Sequence, residues 1–191
     1  MKINSIIISA FPMSGKTLNS ATYNLQAYAQ VYEFDNALKE ISFSKHAWLD
    51  KEKKITNPDF PKNYVDEVEM YTGNTFLILI SSSKKVRAEM QRRNINYHLI
   101  YPDKSRKNEL LKNAIKNPER SEEFCNWLDN KFESAIEHIE SDTFARKLKL
   151  NNEGEFTIKF PDILEWAIRP KEQYEELSSS LTNLIQKNKE K

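Results

Sequence analysis

The chain has 191 residues, enough for one domain with a sizeable core, or for one domain carrying a small insert. A net charge of +1 excludes nucleic-acid binding through a global basic field, and the single cysteine, Cys125, excludes an intrachain disulfide and disfavours a cysteine-built metal site. No apolar stretch approaches the ~20 residues that span a bilayer, and Met1-Lys2 runs into a short strand-like segment rather than a signal peptide, so a cytoplasmic protein is expected.

The first expected element is a strand over Ser5–Ser9. It is followed by Ala10-Phe11-Pro12-Met13-Ser14-Gly15-Lys16-Thr17 and then by a helical pattern with apolar Leu18, Ala21, Leu25 and Tyr28. A strand, a tight loop ending Gly-Lys-Thr, and a helix read together as a phosphate-binding loop. The amides of such a loop and of the helix start converge on a nucleotide β-phosphate, which makes Pro12, Met13, Ser14, Gly15, Lys16 and Thr17 the candidate binding residues. Lys16 is expected to reach the β- and γ-phosphates, and the Thr17 hydroxyl to ligate Mg²⁺. Ala10 stands where a first glycine is usual, which works only if its φ stays negative.

Four further strands are expected: Ala29–Phe34, running into Glu33-Phe34-Asp35; the highly apolar Thr75–Ser81; Tyr97–Tyr101, stopped by Pro102; and Glu155–Phe160, stopped by Pro161. Helical patterns fill the gaps at Lys84–Arg93 and Ser105–Lys116. Another begins at the N-cap Ser121, where Phe124, Leu128, Phe132, Ala135, Ile136 and Ile139 form a 3.6-residue stripe. Strands alternating with helices imply an α/β fold with an open, mostly parallel sheet. Residues 36–74 are the least regular segment and read as an acceptor-binding insert. Their Trp48, Phe60 and Tyr64 suit a small core better than a stack on a nucleobase. The tail, 171–191, has Tyr174, Leu177, Leu181 and Leu184 at helical spacing, a packed helix or a surface for a homodimer or host-protein contact.

Asp35, read as the end of the second strand, is the candidate metal or base carboxylate, because ligands in open α/β sheets sit at the carboxyl ends of strands. Glu33 shares that region. The third expected strand ends in Ser81-Ser82-Ser83, so a second metal-organising carboxylate is absent from its usual place. Phosphoryl transfer needs cations beyond the loop lysine. Among the seven arginines, Arg87 follows the third strand and Arg106 the fourth, where a lid over 103–120 would close. His46, His98 and His138 show no ligand-like spacing.

These residues resemble a group of phage-encoded P-loop proteins related to nucleotide kinases and described as ATP-binding or adenylate-kinase-like. The resemblance rests on Phe11-Pro12-x-Ser14-Gly15-Lys16-Thr17, the acidic pair Glu33 and Asp35, and Phe43-Ser44-Lys45. It continues through Asn57-Pro58-Asp59-Phe60-Pro61-Lys62-Asn63-Tyr64, Ser81-Ser82-Ser83-Lys84-Lys85-Val86-Arg87 and Tyr101-Pro102-Asp103-Lys104-Ser105. The chain departs from that group at Ala10 and Met13, where glycines are usual, and in the long spacer between Asp35 and Phe43. The resemblance implies a P-loop NTPase fold with a parallel five-stranded sheet in the order 2-3-1-4-5, over a kinase-like domain 1–170. It also implies ATP- and Mg²⁺-dependent phosphoryl transfer to a nucleoside, nucleotide or similar small acceptor, with Lys16, Asp35, Arg87 and Arg106 as catalytic residues. A nucleotide-binding regulatory protein with little turnover is the competing expectation. A polynucleotide 5′-kinase would need a basic groove that the charge balance does not supply.

Overall fold

The computed structural model describes residues 3–14, 24–151 and 159–169. Its centre is a five-stranded sheet, entirely parallel, flanked by helices on both faces. Strand β1 (Ile6–Ala10) lies between β5 (Thr75–Ser81) and β6 (His98–Pro102). Both neighbours are in register with it: Ala10 pairs with Ser81 on one side and with Ile100 on the other. Strand β2 (Asn36–Glu40) forms the edge beyond β5, and β7 (Arg146–Leu150) the edge beyond β6. The apolar runs of β1 and β5 are buried throughout because helices cover both of their faces.

One layer packs α3 (Lys62–Tyr71), α4 (Lys84–Arg92), α5 (Lys107–Lys116) and α6 (Glu122–Glu140) onto Ile7, Phe11, Ile78, Ile80 and Leu99. The other packs α1 (Leu25–Val31) and α7 (Phe160–Ile168) onto Ile6, Ile8, Leu77 and Leu79. Each fully buried Ile, Leu or Phe contributes about 1.5–3 kcal/mol by leaving water. In the second layer Phe76 is surrounded by the rings of Tyr28, Tyr32 and Phe34, with centroids at 5.7, 5.7 and 5.8 Å.

Two of the expected strands fall elsewhere. Ala29–Val31 belong to α1, since Leu25 and Ala29 are four residues apart and bury one helical face. The chain then turns at Glu33, whose φ is +62°, and the strand begins only at Asn36. At the other end, residues 152–158 of the expected strand 155–160 lie outside the described residues, while Phe160 opens α7. Phe160, Ile163, Leu164 and Ala167 are buried at helical spacing, and Pro161 occupies the helix's first turn, where its missing N–H costs nothing. The strand paired with β6 is Arg146–Leu150 instead. The expected order 2-3-1-4-5 is therefore not the one found for the segments so numbered. In chain order the sheet reads β2-β5-β1-β6-β7, and a small hairpin of β3 (Trp48–Asp50) and β4 (Ile55–Thr56) comes between β2 and β5.

Local signals hold well where capping and periodicity agree. The Ser121 hydroxyl accepts the Phe124 N–H at 3.3 Å, and Leu128, Phe132, Ile136 and Ile139 form the buried stripe of α6. The expected lid, 103–120, comprises a 3₁₀ turn (Lys104–Arg106) and α5, with Leu110 and Ala114 in the core and Lys107 reaching Asp129 and Glu133 of α6. The expected insert 36–74 gives its first residues, Asn36–Glu40, to the main sheet as β2; α2 (Phe43–Ala47) follows, and its His46 ties α2 to α3. One ring nitrogen lies 2.8 Å from the Ser42 carbonyl and the other 2.7 Å from Glu67. The tail 171–191 lies outside the described residues, and among these no helix is long and apolar enough to cross a membrane.

Candidate functional site

The carboxyl ends of β2, β5, β1, β6 and β7 form one edge of the sheet, and the loop after β1 leaves from the middle of it. The chain passes from β1 towards β2 on one side and from β6 towards β7 on the other, so the crevice between β1 and β6 is a topological switch point. Ala10 is the last residue of β1, fully buried and without positive φ, so the methyl group that replaces glycine is accommodated. The Phe11 N–H donates to the Ile100 carbonyl at 2.9 Å. Its buried ring packs on Trp127 and Phe132 of α6, with centroids at 6.1 and 5.5 Å. After Pro12 the backbone takes a left-handed turn at Met13, φ +65°, a conformation costing a non-glycine residue about 1–2 kcal/mol. Ser14 closes the turn. Both its N–H and its hydroxyl donate to the Phe11 carbonyl, at 3.2 and 2.7 Å. Gly15, Lys16 and Thr17 lie outside the described residues.

The neighbouring strand ends are tied to the insert by one buried phenol. The Tyr64 hydroxyl accepts the Ser81 N–H at 2.9 Å and donates to the Ile41 carbonyl at 3.0 Å, linking the ends of β5 and β2. Burial pushes its pKa well above the ordinary phenol value, so the proton stays on. Tyr64 is therefore a structural tie, and Phe60 packs edge-on against it and against Phe43.

Asp35 is not where the sequence reading put it. It precedes β2, whose Asn36 pairs with Thr75 at the amino ends of the strands, so it stands at the opposite edge from the loop. Four residues of extended chain, about 13 Å, separate Asn36 from Glu40, the residue that does end β2 at the carboxyl edge. Glu33 lies in the same distant turn. The signal for Glu40 was present but weak, because the five residues Asn36–Glu40 contain only two apolar side chains.

Both candidate arginines are turned into the protein. Arg87 is 5% exposed and ion-paired to Asp142 at 2.6 Å, and it also donates to the carbonyls of Ser82 and His138. Asp142 receives further bonds from the Tyr97 hydroxyl, the Gln91 amide, and the N–H groups of Phe144 and Ala145. Burial alone would raise the Asp142 pKa. The donors, led by Tyr97 and Arg87, outweigh it and hold the carboxyl below its ordinary value. Arg106 is also buried and makes a two-pronged pair with Glu109 at 2.8 and 3.0 Å. Lys104 and Lys149 join Glu140, Glu137 and Asp103 in a surface network at the β6–β7 end. Exposed cations at this edge include Lys84 and Lys85 in the first turn of α4, Lys45 on α2, and Arg120, whose guanidinium lies over the Phe124 ring beside Trp127. The run Ser81-Ser82-Ser83-Lys84-Lys85 carried that information in the sequence. A cavity of about 240 Å³ between β7 and α7, lined by Lys149, Leu150, Lys159, Asp162 and Trp166 among others, is separated from β1 by β6.

No family model matches the chain, and no curated protein matches it.

Proposed function

We propose that this chain is an ATP-binding phosphotransferase of the P-loop nucleotide-kinase type, acting on a nucleoside, nucleotide or similar small acceptor. One observation carries the reading. The segment that runs into Gly15-Lys16-Thr17 leaves the carboxyl end of the central strand, at the switch point, and makes a left-handed turn at Met13. That is the place where loop amides can face a phosphate group. The expected group of phage-encoded relatives, the P-loop NTPase fold and a cytoplasmic setting belong to the same proposal.

In this reading Lys16 neutralises charge on the transferring phosphoryl group and the loop amides orient the nucleotide. The Thr17 hydroxyl suits Mg²⁺, which would screen the phosphate oxygens. Asp35 does not belong to that donor set, because it stands at the other edge of the sheet. Arg87 acts through the fold, fixing the Ser82 carbonyl just past β5. Lys84 and Lys85 take over as the cations facing an acceptor.

A second reading, a nucleotide-binding regulatory protein with little turnover, is favoured by a specific fact. The two arginines suited to stabilising a transition state are both engaged in ion pairs, Arg87 in a buried one and Arg106 in a half-buried one. The deciding experiment measures ATP consumption against a panel of nucleosides, nucleotides and short oligonucleotides, alongside Mg-ATP binding by the wild type and Lys16→Ala. Transfer to a small acceptor supports the kinase. Binding lost in Lys16→Ala with no transfer to any acceptor supports the regulator. Equal ATP affinity in a folded Lys16→Ala protein removes both.

A further inference from the structure

Helix α4 (Lys84–Arg92) starts at the carboxyl edge of the sheet without a side-chain cap. In α1, α2 and α6, by contrast, Asn24, Ser42 and Ser121 each turn an oxygen onto an N–H of their own helix, at 3.3, 3.4 and 3.3 Å. The first bond that closes α4 is from the Arg87 N–H to the Ser83 carbonyl. The N–H groups of Lys84, Lys85 and Val86 come before it and donate to nothing among the described residues. Such a helix start offers donors together with about half a positive charge.

An independent feature points to a ligand here. Ser82 stands directly before the N-cap and is only 8% exposed. Its carbonyl is held by the Arg87 guanidinium at 3.2 Å, but its hydroxyl has no partner among the described residues and is not sealed from the surface. A buried hydroxyl left open beside unpaired N–H groups is a donor awaiting an acceptor. The backbone around it is fixed: the Tyr64 hydroxyl accepts the Ser81 N–H at 2.9 Å, and the Ser81 hydroxyl accepts the Ser83 N–H at 3.2 Å. Lys84 and Lys85 are exposed and pair with no acid among the described residues, whereas Lys104, Lys107 and Lys149 all meet carboxylates. A phosphate monoester carries about −1.5 to −2 charges at pH 7 and three acceptor oxygens. Helix N–H groups, a serine hydroxyl and two ammonium groups match it in both charge and hydrogen bonding. Ser81 pairs with Ala10, so this opening lies one strand, about 4.8 Å, from the end of β1.

We infer that the start of α4, with Ser82, Ser83, Lys84 and Lys85, binds the phosphate of a phosphate monoester. The consequence for substrate class rests on the phosphotransferase reading: the acceptor is a nucleoside monophosphate rather than a free nucleoside. Inorganic phosphate, AMP and adenosine are titrated into the wild type and Lys16→Ala, and amide resonances are followed by NMR. Phosphate and AMP should shift Ser83–Val86 in both proteins, and adenosine should not. Ser82→Ala should weaken phosphate binding about tenfold. Lys84→Gln combined with Lys85→Gln, at exposed positions that leave the fold intact, should weaken it at least about fivefold, as should added salt. Unmoved Ser83–Val86 amides, or unchanged affinity in both variants, overturn the site. In transfer assays with Mg-ATP, AMP should be used and adenosine not, and the double lysine variant should raise the KM for AMP. Equal use of adenosine overturns the substrate class. Phosphate binding at α4 in a protein that binds no Mg-ATP would remove the phosphotransferase reading and leave the anion site standing.

Discussion

Helix α6 has an ion pair at each end, and the two could hardly differ more. Just past its C-terminus, Asp142 is buried and takes five donors, one of them the Arg87 guanidinium. In its first turn, exposed Glu123 pairs with exposed Lys54. The same charge chemistry is locked inside the fold at one end and open to water at the other. Burial makes the difference: an unpaired charge inside costs several kcal/mol, so the inner pair must stay made, whereas water replaces either partner of the outer pair at little cost.

The largest effect should come from breaking the inner pair. Arg87→Ala leaves Asp142 buried without its cation and should destabilise the protein by about 3–5 kcal/mol in denaturant titration. A change within 1 kcal/mol would mean that Arg87 is free to act on ligands, as the sequence alone suggested.

Next comes a half-buried group that stays neutral. Burial, helped by the nearby Arg146 charge, pushes His98 down to about 4, against a hydrogen bond to Ala167 that pulls it up. The unfolded chain then binds the extra proton first, between the ordinary value near 6.5 and 4. Stability is full above pH 6.5 and falls as the pH drops towards 4, by about 2–3 kcal/mol. Thermal melts from pH 7 to pH 4 should show this slope, and His98→Gln should flatten it. An equally steep slope in that variant would assign the acid sensitivity elsewhere.

Lys16→Ala sharpens the contrast from the side of the proposed ligand binding. It should leave the melting temperature close to wild type and weaken Mg-ATP binding at least tenfold, about 1.4 kcal/mol, by calorimetric titration.

The smallest effect belongs to Asp35→Asn. At the amino edge of the sheet, this change should leave ATP binding and any turnover within about twofold and stability within about 0.5 kcal/mol. Glu40→Gln, at the carboxyl edge, is the paired comparison. A large loss in Asp35→Asn beside an inert Glu40→Gln would contradict the strand placement argued here.

The sequence was most legible where a signal is local. Thr75–Ser81 is a continuous apolar run and is buried along almost its whole length, and Ser121 caps α6 through a bond to a residue three positions on. It misled where a short pattern admits two periods. Ala29-Gln30-Val31 reads as strand until Leu25 and Ala29 are seen to share a helical face. The true edge strands, Asn36–Glu40 and Arg146–Leu150, are polar because only part of each meets the core. That single shift of a strand boundary carried Asp35 from one end of the sheet to the other.

The proposed phosphate loop is legible in the sequence alone, since Gly15, Lys16 and Thr17, the residue types such a loop uses, are contiguous. The fates of Arg87, Lys54 and Tyr64 were decided only by tertiary structure. Their partners lie 55, 69 and 17 or more residues away in the chain, at Asp142, Glu123, and Ser81 and Ile41. A charged or hydroxylated side chain carries no sign of which distant group will meet it. Whether it faces a ligand or the core depends on which elements the sheet brings together.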